Sequence, residues 1–117
     1  MRRTTTCSRG DIVVVNFVFA DESGVKRRPV VVVSTADYHQ GRHEAVVSAV
    51  TSNTVRVLIG DYLIADWESA GLVYPFICTG IVRTINQSLI EHRLGSVSPR
   101  DLAAIEGNLK LILGLAV

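Results

Sequence analysis

The sequence predicts a mainly β domain closed by one C-terminal helix, and three observations carry that reading. Valine-dense runs at 11–19 and 29–34 favour extended backbone, because β-branched side chains lose little freedom on a pleated sheet. Ser98-Pro99 followed by Asp101 has the chemistry of a helix start: a capping hydroxyl, a proline at the first helical position and a carboxylate facing the helix dipole. The length of 117 residues suffices for one core and falls short of two.

Taken in chain order, the first two strands alternate poorly between apolar and polar residues, so both of their faces must be covered, as in a curled sheet with a helix or a second subunit against it. Residues 44–51 make a third strand through Ala45, Val46, Val47, Ala49 and Val50. Residues 74–84 make another, interrupted by Gly80, which in a strand marks a bulge or sharp bend. Between them, 55–59 and 62–65 flank Gly60-Asp61 as a hairpin. The alternative is a functional loop over 52–59 with strand only at 61–65. Residues 67–71 read as one helical turn ending at Gly71, and 86–93 as a short helix ending near Gly95. The last helix buries the stripe Leu102, Ile105, Leu109, Ile112 and Leu113 and stops near Gly114. Polar loops at 20–28 and 35–43 join the first three strands, and such loops on a stiff sheet tend to carry function. Residues 1–8 are read as a flexible N-terminal tail and 9–117 as a single domain.

Composition narrows the classes. Apolar residues at 48% and charged ones at 20% exclude a disordered chain, and no apolar run reaches the roughly 20 residues of a spanning helix. Arg2 and Arg3 are followed by no apolar stretch, which argues against a signal peptide. Cys7 and Cys78 are far apart and form no CxxC pair, which points to reduced thiols in a cytoplasmic protein and gives no zinc motif. No His, Asp or Glu set has metal-ligand spacing, so neither metal nor cofactor is expected. A net charge of +1 argues against a broad grip on duplex DNA but leaves room for a local phosphate site.

The most informative signal is an ordered series of short motifs: Arg9-Gly10-Asp11, Asn16-Phe17, Lys26-Arg27-Arg28-Pro29, then Val50-Thr51-Ser52-Asn53. It continues through Asp66-Trp67 and Ala70-Gly71-Leu72, Val82-Arg83-Thr84-Ile85, and Leu94-Gly95 with Val97-Ser98-Pro99. In that order the motifs resemble the MazF/PemK/Kid toxins of bacterial toxin–antitoxin pairs over residues 9–115. The resemblance implies a small SH3-like barrel, a homodimer, a cognate antitoxin partner, and metal-independent, sequence-specific cleavage of single-stranded RNA. By position it makes Arg28 and Thr51 the catalytic pair. Phe17, Glu22, Ser23, Lys26, Arg27, Ser52 and Asn53 are then expected to bind RNA. Asn16 stands where the family commonly has an Asp.

Chemistry supports those roles in part. Attack by a 2′-OH on the adjacent phosphate needs a proton acceptor, a proton donor and neutralisation of phosphorane charge. A guanidinium matches phosphate oxygens bidentately and stays charged, so Arg28 suits the last task and makes a poor base. Thr51 can position an oxygen but cannot take its proton unaided. Asp21, Glu22, His39 and His43 are the open candidates for the base. Two other classes compete. A CcdB-type gyrase poison acts through a Trp-Gly-Ile ending, whereas this chain ends Leu113-Gly114-Leu115-Ala116-Val117. An inactive, binding-only barrel would not need both Arg28 and Thr51.

Overall fold

The computed structural model describes residues 7–18, 25–55 and 57–115. Strands β1 (Asp11–Val18), β2 (Val25–Val32), β3 (Glu44–Thr51), β4 (Tyr62–Leu63), β5 (Ile77–Asn86) and β6 (Ile90–Ser96) form one antiparallel sheet in the order β4-β5-β3-β2-β1-β6. Helix α1 (Ala36–Gly41) follows β2, and α2 (Pro99–Leu113) ends the fold. The mainly β architecture with a closing helix is the predicted one.

The sheet has to curl. Three strands separate β5 from β6, about 19 Å in a flat sheet at roughly 4.8 Å per strand. Only the 3-10 turn Gln87–Leu89 joins them, a segment that cannot reach beyond about 14 Å. Among the described residues the barrel is nevertheless not closed by hydrogen bonds, since β4 and β6 are the two ends of the ladder. A backbone contact fills the seam instead. A Cβ added at Gly71 would lie 2.3 Å from the Leu94 carbonyl oxygen, and one at Gly95 would lie 2.1 Å from the Ala70 oxygen. Gly71 also has φ +93°, a conformation that side chains disfavour.

Both faces of the sheet are buried, as the continuous valine runs require. Alternation sends Val13, Val15, Val30 and Val32 to one side, with Ala45, Val47, Ile85 and Ile90. Ile12 and Val31 go to the other, with Val50, Ile64, Cys78 and Ile105. Helix α2 covers that second side through Ile105, Leu102 and Leu109, while Leu113 at the end of the predicted stripe is exposed. Trp67 packs against the same cluster. Cys7, assigned to the tail from sequence, is buried in the first cluster. Both cysteines are free, and burial pushes the Cys78 thiol up to about 11.

Four elements differ from the sequence reading. Residues 86–93 are a 3-10 turn and then β6, not a helix. Glu91, His92 and Arg93 look helical, but they lie on a strand that, among the described residues, is at the sheet edge beside β1, where exposed charges are at home. The polar stretch after β2 holds α1, capped by Thr35, whose hydroxyl accepts from the Tyr38 N–H at 3.3 Å. Residues 55 and 57–59 form no strand, as in the loop alternative, and the strand after Gly60-Asp61 is only Tyr62–Leu63, shorter than either reading. β2 begins at Val25, earlier than predicted. The break foreseen at Gly80 is present: Val50 faces Cys78 and Ser48 faces Val82, leaving Thr79, Gly80 and Ile81 bulged opposite Ala49.

The opening and closing motifs prove to be fasteners. Arg9 pairs with Glu106 on α2. Asp11 accepts from Ser8 N–H at 2.8 Å, Ser96 Oγ at 2.6 Å and Arg93 Nε at 3.0 Å, tying β1 to β6. Asp101, fully buried, accepts from the Tyr62 hydroxyl, from Ala65 N–H at 3.1 Å and from Asp66 N–H at 2.8 Å. Asp66 in turn holds Ser98 Oγ at 2.6 Å and chelates Arg100.

Three outcomes follow for stability. Asp101→Ala strands three donors and should cost about 3 kcal/mol or more in urea unfolding, against about 1 kcal/mol for Tyr62→Phe. Gly95→Ala should cost more than about 2 kcal/mol, because the obstacle is backbone and cannot yield. Burial acts to raise Asp11, but its bonds from Ser96, Ser8 and Arg93 outweigh this and hold the carboxyl below its usual value. A depressed folded-state value stabilises above the unfolded value and ceases to do so as pH falls through the folded one. The urea midpoint should therefore decline below about pH 4 in the native chain and decline less steeply in Asp11→Asn.

Candidate active site

Pro29 organises the site. It lies within β2 opposite Val14 of β1, yet hydrogen-bonded pairing to β3 stops at Val30↔Ala49. A proline has no N–H to give, which accounts for a ladder that ends beside it. Continued by two residues, the register Val32↔Val47, Val31↔Ser48, Val30↔Ala49 sets Arg28 across from Thr51. Alternation gives both side chains the face of Val30, Val32 and Val47. Arg28 is half-buried, with its Nε enclosed, and sits across from Val15 on β1. Thr51 is the half-buried last residue of β3, across from Ile77 of β5. By that continued register the two residues singled out from sequence fall at the same end of the sheet.

The loop after Thr51 is set by its own side chains. Thr51 Oγ1 accepts from Asn53 N–H at 3.1 Å, and Asn53 Oδ1 accepts from Val55 N–H at 3.2 Å. Ser52 and Asn53 are exposed beside Thr51. Arg27 points to the opposite face from Arg28. There it makes an ion pair with Glu91 at 2.7 Å, and Asn16 Nδ2 donates to the other oxygen of Glu91 at 2.6 Å. Asn16 therefore serves as a donor to Glu91. Positions 17 and 26 pair in the β1–β2 register, further along the strands from Arg28. Asp21, Glu22 and Ser23 lie outside the described residues.

The structure removes both histidines from the search for a base near Thr51. His43 precedes Glu44 at the far end of β3, roughly 23 Å along the strand from Thr51. His39 lies on α1 at the same far end, its Nε2 2.5 Å from Ser34 Oγ. The physical reason is strand direction: antiparallel β2 and β3 carry residues 28 and 51 to one end and residues 32 and 44 to the other.

Sequence reasoning missed Asp61. It lines a cleft of about 480 Å³ together with Thr51, Asn53 and Thr79. The dipeptide Gly60-Asp61 was legible only as turn punctuation, because nothing in the sequence shows that this turn packs beside the end of β3. Among the described residues, no group of three His, Cys, Asp or Glu converges as a metal-ligand set.

Comparison with known proteins agrees with this architecture. Residues 8–113 match the model of the PemK-like, MazF-like toxins of type II toxin–antitoxin systems. Among solved structures, an endoribonuclease from a mycobacterial species superposes with a TM-score of 0.77 at 16% identity, over 99% of both chains. An endoribonuclease in complex with its cognate antitoxin, also mycobacterial, gives 0.77 at 18% identity over 96% of this chain and 99% of that one. A MazE–MazF complex from Deinococcus radiodurans gives 0.73 at 24% identity over 94% and 98%. At these identities the superpositions establish a shared fold, and the family match spans nearly the whole chain. The chain belongs to the PemK-like, MazF-like toxins of type II toxin–antitoxin systems.

Proposed function

We propose that this toxin is a metal-independent, sequence-specific endoribonuclease that cuts single-stranded RNA by attack of a 2′-OH on the adjacent phosphate, at the end of the sheet that holds Arg28 and Thr51. The observation that supports the reading is the β2–β3 register, which, continued two residues beyond Val30↔Ala49, aligns the half-buried Arg28 with Thr51 at the end of β3. In this assignment Arg28 neutralises the charge that grows on the phosphorane oxygens, the task for which a preorganised donor is worth most. Thr51 positions the 2′-OH or a phosphate oxygen. Ser52 and Asn53 are placed to meet the flanking nucleotides. With His39 and His43 at the wrong end of the sheet, Asp21 and Glu22 in the β1–β2 connection remain the sequence candidates for the base. A cytoplasmic homodimer neutralised by a cognate antitoxin completes the reading. The exposed Leu111, Leu113 and Leu115 at the end of α2 are apolar surface available for such contacts. Among the described residues no helix is long and apolar enough to cross a membrane.

The test is cleavage of a long single-stranded RNA in EDTA with mapping of the new 5′ ends. Cuts should recur at one short sequence, leave a 5′-OH, and vanish when the sugar at the cut is 2′-deoxy. Arg28→Ala should lower the rate by about 10²–10³-fold, and Thr51→Val should lower it less. Failure of the wild-type protein to cut, or full activity in Arg28→Ala, would refute the assignment.

A further inference from the structure

The cleft beside Thr51 has a chemistry that the cleavage step does not use. Its lining includes the exposed apolar side chains Leu58, Ile59 and Ile81, together with Ile112 of α2. A carboxylate, Asp61, lines it along with the polar residues Thr51, Asn53 and Thr79. Asp61 is held firmly. Gly60 before it has φ +94° and packs against the Gly80 bulge, so a Cβ on Gly60 would come within 3.5 Å of Gly80 Cα. Asn108 of α2 donates to the Gly60 and Asp61 carbonyls at 3.4 and 3.2 Å. One carboxylate oxygen accepts from Leu58 N–H at 2.8 Å. The other accepts no hydrogen bond among the described residues.

A negative charge repels phosphate, so this cleft is unsuited to the RNA backbone. Its apolar lining and its volume of about 480 Å³ suit a flat, neutral group entered edge-on. We propose that it is a base-recognition subsite for the nucleotide adjoining the cut, with Asp61 selecting a base that presents an amino group. A carboxylate only accepts hydrogen bonds. Adenine, cytosine and guanine each offer an exocyclic amine to such an acceptor. Uracil offers one N–H flanked by two carbonyl oxygens, which the carboxylate repels. The apolar side chains cover the faces of the base, as in other pockets that receive an unstacked nucleotide. Because Thr51 belongs both to this cleft and to the proposed catalytic pair, the base held here is a neighbour of the reacting phosphate. The inference rests on the ribonuclease reading and adds its specificity.

The experiment has two arms. In the first, wild-type protein and Asp61→Asn cut a randomised single-stranded RNA, with Arg28→Ala as the inactive control. An asparagine keeps an oxygen for Leu58 N–H but adds a donor, so it tolerates uracil. Wild type should disfavour uracil about tenfold or more at one position next to the cut, within the range one good base contact provides. Asp61→Asn should admit uracil there and leave every other position unchanged. In the second arm, wild-type protein binds non-cleavable 2′-deoxy oligonucleotides that differ only at that position, or at each position in turn if no cut is found. Loss of cleavage with this base preference intact would refute the catalytic assignment and leave the subsite standing. Equal binding of all four bases, an unchanged cleavage pattern in Asp61→Asn, or a uniform loss of rate on every sequence would overturn the subsite.

Discussion

The buried carboxylate of Asp101 holds the molecule together at the point where its sheet fails to close. Its partners come from β4 (Tyr62) and from the segment just after it (Ala65 and Asp66), while Asp101 itself sits in the first turn of α2. A carboxyl group with no solvent exposure is tolerated because three donors surround it, and the same need keeps those donors in place. One step along the chain, Asp66 reaches back to Ser98 and Arg100 and doubles the junction. Burial, with the bond to Asp101 second, pushes Tyr62 up to about 12, so its hydroxyl stays a donor through the physiological range.

The remainder of the architecture follows from that junction. Once the 62–72 segment is anchored to α2, Ala70 and Gly71 are carried against Leu94 and Gly95 of β6, and the seam is filled by backbone. β6 is fastened from its other side by Asp11, through Ser96 and Arg93. The helix so anchored then reaches the rim of the sheet, where Asn108 holds the Gly60-Asp61 turn beside Thr51. Stability and the proposed specificity cleft therefore share one support, although their residues are separate. A substitution at Asp101 would disturb the site by loosening α2, whereas one at Asp61 acts on the cleft alone.

Several sequence motifs acquire physical meaning in pairs. Asp66 and Ser98 looked like unrelated signatures, and so did Gly71 and Gly95. Each pair is a contact, one a hydrogen bond and the other a backbone approach that leaves no room for a side chain. Arg9 and Asp11, read together as an opening signature, turn out to be fasteners of α2 and of β6. The strand at 90–96 was misread because its charges obey a helix-compatible pattern. What makes it a strand is the free edge of β1, which a local reading does not contain.

Local chemistry alone determined the valine strands, the bulge at Gly80, and the capped start and glycine stop of α2, while Arg28 and Thr51 were singled out through the family resemblance. The former are written in neighbouring residues: β-branched side chains and a capping serine before proline. Tertiary structure decided which residues share the site. The antiparallel register, continued past Val30↔Ala49, aligns Arg28 with Thr51 although β2 and β3 are separated by a helix, and it sends His39 and His43 to the other end. It also sets Asp61, whose sequence context shows only a turn, in a cleft that Thr51 lines as well. Proximity between distant segments comes from strand direction and from what α2 can hold in place, and neither is a property of any local stretch of sequence.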